Sequence, residues 1–176
     1  WDIKGRQQND GFVADIYYAT KRHDPSRPCI DTSGNYHVVT DIYDIHDYNQ
    51  HIDAYHRRYD SFETEEGVFE NMAKRQSYGG QPYFISEYGG IRWTDDECGW
   101  GYGDAPSTVE EYVERYCSMI EILRANPRIC GVCYTQLYDV EQECNGIFRF
   151  DRSAKFDKES LEKMKKSMAD KAACEK

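Results

Sequence analysis

Pro82-Tyr83-Phe84-Ile85-Ser86-Glu87-Tyr88-Gly89-Gly90 is a short apolar and aromatic run that delivers one carboxylate into a pair of glycines. Aromatic and β-branched residues closed by glycine are the pattern of a strand that stops in a turn. Where strands and helices alternate, reactive groups sit where a strand ends and its loop begins, and Glu87 occupies that position. The run alone fits a surface glutamate after an edge strand equally well, so its weight depends on its neighbours.

Two other segments have the same character. Ile129-Cys130-Gly131-Val132-Cys133-Tyr134 runs into the polar, aromatic loop Thr135-Gln136-Leu137-Tyr138-Asp139-Val140-Glu141-Gln142-Glu143, and Asp44-Ile45-His46-Asp47-Tyr48 follows a shorter apolar stretch. The patterning predicts a helix over Asp10 to Arg22, with Phe12, Ile16, Tyr17 and Thr20 on one face, stopped by Pro25 and Pro28. Strands are expected at Pro28 to Asp31, at Ile42 to Ile45, up to Glu87 and at Cys130 to Gln136. Ile52 to Arg58 and Glu65 to Lys74 are helical or irregular excursions. Thr108 to Ala125 is an amphipathic helix with a capping threonine and first-turn acids. Lys155 to Lys176 reads as a charged helix whose Leu161, Met164 and Met168 stripe packs. Strand, excursion, strand is an α/β rhythm.

Composition narrows the chemistry. A formal charge of −10 disfavours nucleic acid and anionic membrane surfaces as partners, because such binding rests on clustered Lys and Arg. No apolar run approaches the ~20 residues of a membrane-spanning helix. Aromatic residues make up 14% of the chain, 15 of them tyrosine, which suits a cleft that holds sugars by aromatic planes and a few polar groups. A water-facing aromatic exterior accounts for most of them equally well. Of the seven cysteines, Cys130 and Cys133 form a C-x-x-C inside an apolar strand with no helix following, so buried free thiols are expected rather than a redox site or zinc. No cofactor and no metal is implied.

Ser86-Glu87-Tyr88-Gly89-Gly90, Ile45-His46-Asp47-Tyr48 and Tyr134 to Glu143, taken in order, resemble the C-terminal half of the catalytic (β/α)8 TIM barrel of glycoside hydrolase family 2, which includes β-galactosidases, β-glucuronidases and β-mannosidases. The resemblance runs from about Gln8 to Asp151. It implies that the four strands are the fifth to eighth of a barrel and that the 176 residues are one partial catalytic domain with a charged C-terminal helix.

The same resemblance makes Glu87 the catalytic nucleophile and Tyr48 its hydrogen-bond donor, with His46 lining that face. Tyr134 becomes an aromatic platform under the sugar, Gln136 and Asp139 hydroxyl binders, and Trp93, with Trp100, a wall of the aglycone side. It implies retaining hydrolysis of β-galactoside-type bonds. Where glucuronate-specific members carry Asn-x-Lys, this chain reads Glu143-Cys144-Asn145. No Asn-Glu pair marks the family's acid/base, and Trp1 matches the tryptophan that follows it. The chain is therefore expected to be inactive alone, to require the missing N-terminal half of the same enzyme, and to self-associate through exposed barrel edges. The competing reading is a non-catalytic carbohydrate-binding or interaction domain.

Overall fold

A computed structural model describes residues 9–34, 36–60, 68–72 and 75–175, and Trp1 lies outside them. The elements are α1 (Asp10–His23), β1 (Tyr43–Asp47), α2 (Ile52–Tyr59), β2 (Tyr83–Gly89), α3 (Val109–Ala125), β3 (Ile129–Thr135) and α4 (Lys158–Ala169), with a short 3-10 turn at Ala173–Glu175. The three strands form one parallel sheet in the order β1-β2-β3.

Each long helix begins at a side-chain cap. Asn9 accepts from the Phe12 amide, Thr108 from Glu111 and Asp157 from Ser160. The Asp157 cap is why α4 starts at Lys158 rather than at the predicted Lys155. Met164 in α4 is buried, Leu161 packs against the same core, and Met168, 39% exposed, brings its sulfur 3.6 Å from the buried Tyr88 hydroxyl. In α1 the buried residues are Val13 and Tyr17, four apart, while Phe12 and Ile16 face out. A hydrogen bond of 2.7 Å from the Tyr17 hydroxyl to Asp41 selects that face.

Pro28 to Asp31 does not form the predicted strand. Pro28 has no amide hydrogen, the Cys29 amide is taken by the Asp41 carboxylate and its carbonyl by the Asp41 amide, and the Asp31 carboxylate turns the chain by accepting the amides of Thr32, Val38 and Val39. Three strands are therefore described where four were expected. Of the predicted Glu65 to Lys74 excursion, 65–67 and 73–74 lie outside the described residues, and 68–72 are irregular and end in a turn.

One face of the sheet carries Tyr43, Ile45, Tyr83, Ile85, Tyr88 and Ile129 into a core shared with α2, α3 and α4. Tyrosine builds this core rather than an exterior surface. Tyr55, Tyr59, Tyr83 and Tyr112 are fully buried. Their hydroxyls reach the Asp47 carbonyl, the Asp47 carboxylate, the Phe69 carbonyl and the Tyr134 hydroxyl at 2.6–3.1 Å. Burying a phenol with its polar end satisfied supplies large apolar area without an unpaired group.

The opposite face carries Asp44 and His46 from β1, Phe84 and Glu87 from β2, and Gly131 from β3. A Cβ on Gly131 would sit 3.1 Å from the Phe84 ring. Cys130 and Cys133 are free thiols, but they are exposed, not buried as expected. Their strand is an edge strand of the sheet, and they flank Val132 and Tyr134 rather than joining them against the core. Among the described residues no helix is long and apolar enough to cross a membrane.

Candidate active site

Glu87 stands near the C-terminal end of β2 with about a third of its side chain exposed. Tyr48, just past the end of β1, donates its hydroxyl to Glu87 Oε2. The same oxygen lies 3.1 Å from His46 Nδ1. The Tyr48 hydroxyl and a His46 ring nitrogen thus converge on one carboxylate oxygen, while among the described residues no donor reaches Oε1. Burial pushes the Tyr48 phenol well above its ordinary range, and the hydrogen bond to Glu87 and the charge of that carboxylate push it further. Tyr48 is therefore a neutral donor at any physiological pH.

Each donor is itself held. The Tyr48 ring stacks on Tyr102 at 3.6 Å between centroids, nearly parallel. Gly90, in the left-handed region at φ +62°, leaves room for that pair, since a Cβ there would meet Tyr102 at 2.5 Å. The buried Gln50 amide donates to the carbonyls of Gly89 and Tyr102 at 2.8 and 2.7 Å, tying the end of β2 to the loop that follows. His46 is held on its far side by Ser33 Oγ, 3.1 Å from Nε2. Its ring lies against Gly34, at φ +62°, where a Cβ would fall 2.1 Å from the imidazole.

Beneath these groups is a buried ionic chain. His37 Nδ1 lies 2.7 Å from Asp31 Oδ1, and Nε2 lies 3.1 Å from Asp44 Oδ1, an oxygen with no other partner. The second Asp44 oxygen accepts from the Ser86 hydroxyl and, at 3.0 Å, from the Gly34 amide. Burial opposes the charge on His37, but hydrogen bonds to Asp31 and Asp44 outweigh it and raise its pKa to about 9. Burial likewise opposes the Asp31 charge, yet bonds from His37 and from the amides of Val38 and Val39 hold its pKa below the ordinary value.

That chain makes folding pH-dependent. The His37 pKa of about 9 in the folded chain exceeds its ordinary 6.5, so between these values the native state binds the extra proton. The contribution is complete below about pH 6.5 and is lost as pH rises through about 9. The urea midpoint is expected to fall across that window, and His37→Gln is expected to flatten the fall. A midpoint with the same slope in both proteins would show that His37 is not its source.

The other predicted site residues are placed differently. Tyr134 pairs with Tyr88, its ring packs on Tyr116 and its hydroxyl meets that of Tyr112 at 2.8 Å, so its ring lies on the helix-covered side. Trp93 packs on Tyr112 and Phe156, pinning its loop to the core. Asp139 is buried, 2.6 Å from Lys155 Nζ and accepting the Gly146 amide at 2.9 Å, which commits its carboxylate to loop structure. The half-buried Gln136 amide donates to Asn145, which in turn donates to Glu143. Trp100 is nearly half exposed and edges onto Tyr102. Only Glu87, His46 and Tyr48 come together.

Sequence reasoning missed Asp31, Ser33, Gly34, His37, Asp44 and Ser86. The one local signal is the Asp31-Thr32-Ser33-Gly34 run, a turn composition rather than a strand. A cavity of about 660 Å³ opens elsewhere, between Arg92, Trp93, Pro106, Asp139 and Phe150, and Glu87 does not line it. Among the described residues no group of His, Cys, Asp and Glu is arranged to hold a metal ion.

No protein-family model matches the chain, and no curated protein sequence does. Solved structures do. A family 2 β-galacturonidase from Eisenbergiella tayi bound to glycerol superposes with a TM-score of 0.60 at 18% identity, over 90% of this chain and 29% of that one. A Bifidobacterium dentium β-glucuronidase complexed with coumarin-3-O-glucuronide gives 0.60 at 17% over 96% and 28%. A Lactobacillus rhamnosus β-glucuronidase gives 0.60 at 16% over 93% and 30%. The chain thus has the fold of a stretch of this family 2 β-galacturonidase and of these β-glucuronidases, and spans less than a third of their length.

Proposed function

We propose that the chain is the nucleophile-bearing part of a retaining β-glycoside hydrolase, with Glu87 as the nucleophile. The observation that supports this most directly is the asymmetry of the Glu87 carboxylate: Tyr48 and His46 both meet Oε2, and among the described residues no donor reaches Oε1. A carboxylate held by one oxygen keeps its rotamer and presents the other lone pair in a fixed direction.

In that reading Oε1 attacks the anomeric carbon as the bond to the aglycone oxygen breaks. The leaving oxygen takes a proton from a second carboxylic acid, and water later releases the sugar from Glu87. The two carboxyl groups of such an enzyme stand about 5 to 5.5 Å apart. The second is supplied by further chain, so turnover of ordinary glycosides needs that chain. The free edges of β1 and β3 are where its strands would pair.

A neutral, galactoside-type sugar is the proposed substrate. The Glu143 carboxylate accepts from Asn145, and its charge is felt at Tyr102 alongside that of Glu87. A second negative group there disfavours a uronate, although the β-galacturonidase and β-glucuronidases of similar fold take one.

The test is intact-mass measurement after incubation with 2-deoxy-2-fluoro glycosides bearing dinitrophenolate leaving groups, which need no general acid. A galactosyl adduct mapped to Glu87 is the expected result. Adduct on another residue would overturn the assignment, and sugar binding without adduct would favour the non-catalytic carbohydrate-binding module.

A further inference from the structure

Glu87 owes its direction to the residue before it. The β1–β2 ladder pairs Ile45 with Ile85 and then His46 with Glu87, so Ser86 has no partner in β1 and is the extra residue of a β-bulge. In an uninterrupted strand side chains alternate, and Glu87 would share the face of Ile85 beneath the helices. The bulge returns it to the face of His46, where Tyr48 reaches it.

Bulges bend a strand and re-aim side chains, and this one is anchored. Ser86 Oγ donates to Asp44 Oδ2, with the Ile45 carbonyl 3.4 Å away. Asp44 is 1% exposed, and its other oxygen faces the buried His37, which is paired in turn with Asp31. Asp31 takes the amides of Val38 and Val39 at 2.6 and 3.0 Å. The hydroxyl of the bulged residue is therefore bonded to a buried carboxylate that is itself paired with His37, rather than to water.

We propose that Ser86, held by the Asp31–His37–Asp44 chain, is a positioning residue that fixes the bulge and so aims the Glu87 carboxylate. The inference rests on the reading of Glu87 as the nucleophile, and it adds a determinant that touches neither sugar nor reacting atoms. Removing the hydroxyl frees the bulge to slip, which moves Glu87 relative to Tyr48 and His46 while leaving the helix-covered core in place. An error of about 1 Å in a reacting group costs up to ~100-fold in rate.

Ser86→Ala and Ser86→Thr are compared with the unaltered chain in two measurements: the inactivation constant and binding constant for the 2-fluoro glycoside, and hydrogen exchange of the β2 amides. Ser86→Ala is expected to lower the inactivation constant ~10- to 100-fold with the binding constant within ~3-fold. Exchange at Glu87 and Tyr88 rises while α3 keeps its protection, and Ser86→Thr, which retains the hydroxyl, recovers most of the rate. Unchanged labelling and unchanged exchange in Ser86→Ala overturn the proposal. So does an equal loss of α3 protection in both variants, which would make Ser86 merely structural. If the unaltered chain takes no label, the nucleophile reading has failed, and the exchange comparison by itself decides whether Ser86 holds the bulge.

Discussion

Tyr48→Phe is expected to slow covalent labelling of Glu87 by ~100-fold or more, the usual loss when one preorganised donor is removed from a reacting group. The substitution deletes a single oxygen. The ring keeps its stack on Tyr102, and the space left by Gly90 still accommodates the pair, so the fold should survive. What changes is the hold on Oε2, which then rests on His46 alone. The carboxylate gains rotational freedom, and water can solvate the oxygen that Tyr48 covered. The binding constant for the labelling sugar is expected to change little, because the phenol hydroxyl is spent on Glu87 rather than on a substrate. Labelling kinetics beside a circular dichroism spectrum check this: a variant that labels within twofold of the unaltered chain would remove Tyr48 from the site.

The elements nearest Glu87 were the most legible in the sequence. β2 announced itself by an apolar run closed with two glycines, and β1 by alternation through Asp44-Ile45-His46-Asp47, with Tyr48 just beyond it. What period-2 reasoning could not supply was the bulge. Counting faces from Ile85 puts Glu87 under the helices, and only an extra residue at Ser86 moves it to the open side. The Pro28 to Asp31 strand failed for a different reason: Pro28 has no amide hydrogen, and the Cys29 amide that a ladder needs is taken by the Asp41 carboxylate.

Tyr134, Trp93 and Asp139 look like binding groups from composition, since aromatic and acidic residues on loops after strands suit a sugar cleft. In the fold each of them also has a packing or ion-pair partner, and those partners lie far along the chain. Tyr134 meets Tyr112, Trp93 meets Phe156 and Asp139 meets Lys155, separations that no motif or periodicity encodes. The buried chain from Asp31 to Ser86 is of the same kind. Its four members are scattered over three segments and meet only once the sheet has formed.

Lys155→Met is expected to destabilise the chain by ~3–5 kcal/mol, the cost of removing one partner of a buried ion pair. The ammonium group is almost fully covered, and its donors are all engaged: Asp139 Oδ1 at 2.6 Å, the Trp93 carbonyl at 2.9 Å and the Cys144 carbonyl at 3.3 Å. These bonds join the loop after β2 to the loop after β3, and the bridges from Trp93 to Cys144 and from Trp100 to Gln142 depend on the same alignment. Methionine fills the space of the stem but leaves Asp139 with only the Gly146 amide and strips two carbonyls of a donor. A loss of that size is a large share of the ~5–15 kcal/mol that holds most domains together, and for a chain of this length it should lower the thermal midpoint by roughly 10 °C. The double variant Lys155→Met with Asp139→Leu should recover a substantial part, because no charge is then left buried and unpaired. If the single variant melts within about 2 °C of the unaltered chain, or the double variant melts lower still, the pair is not what ties the two loops together.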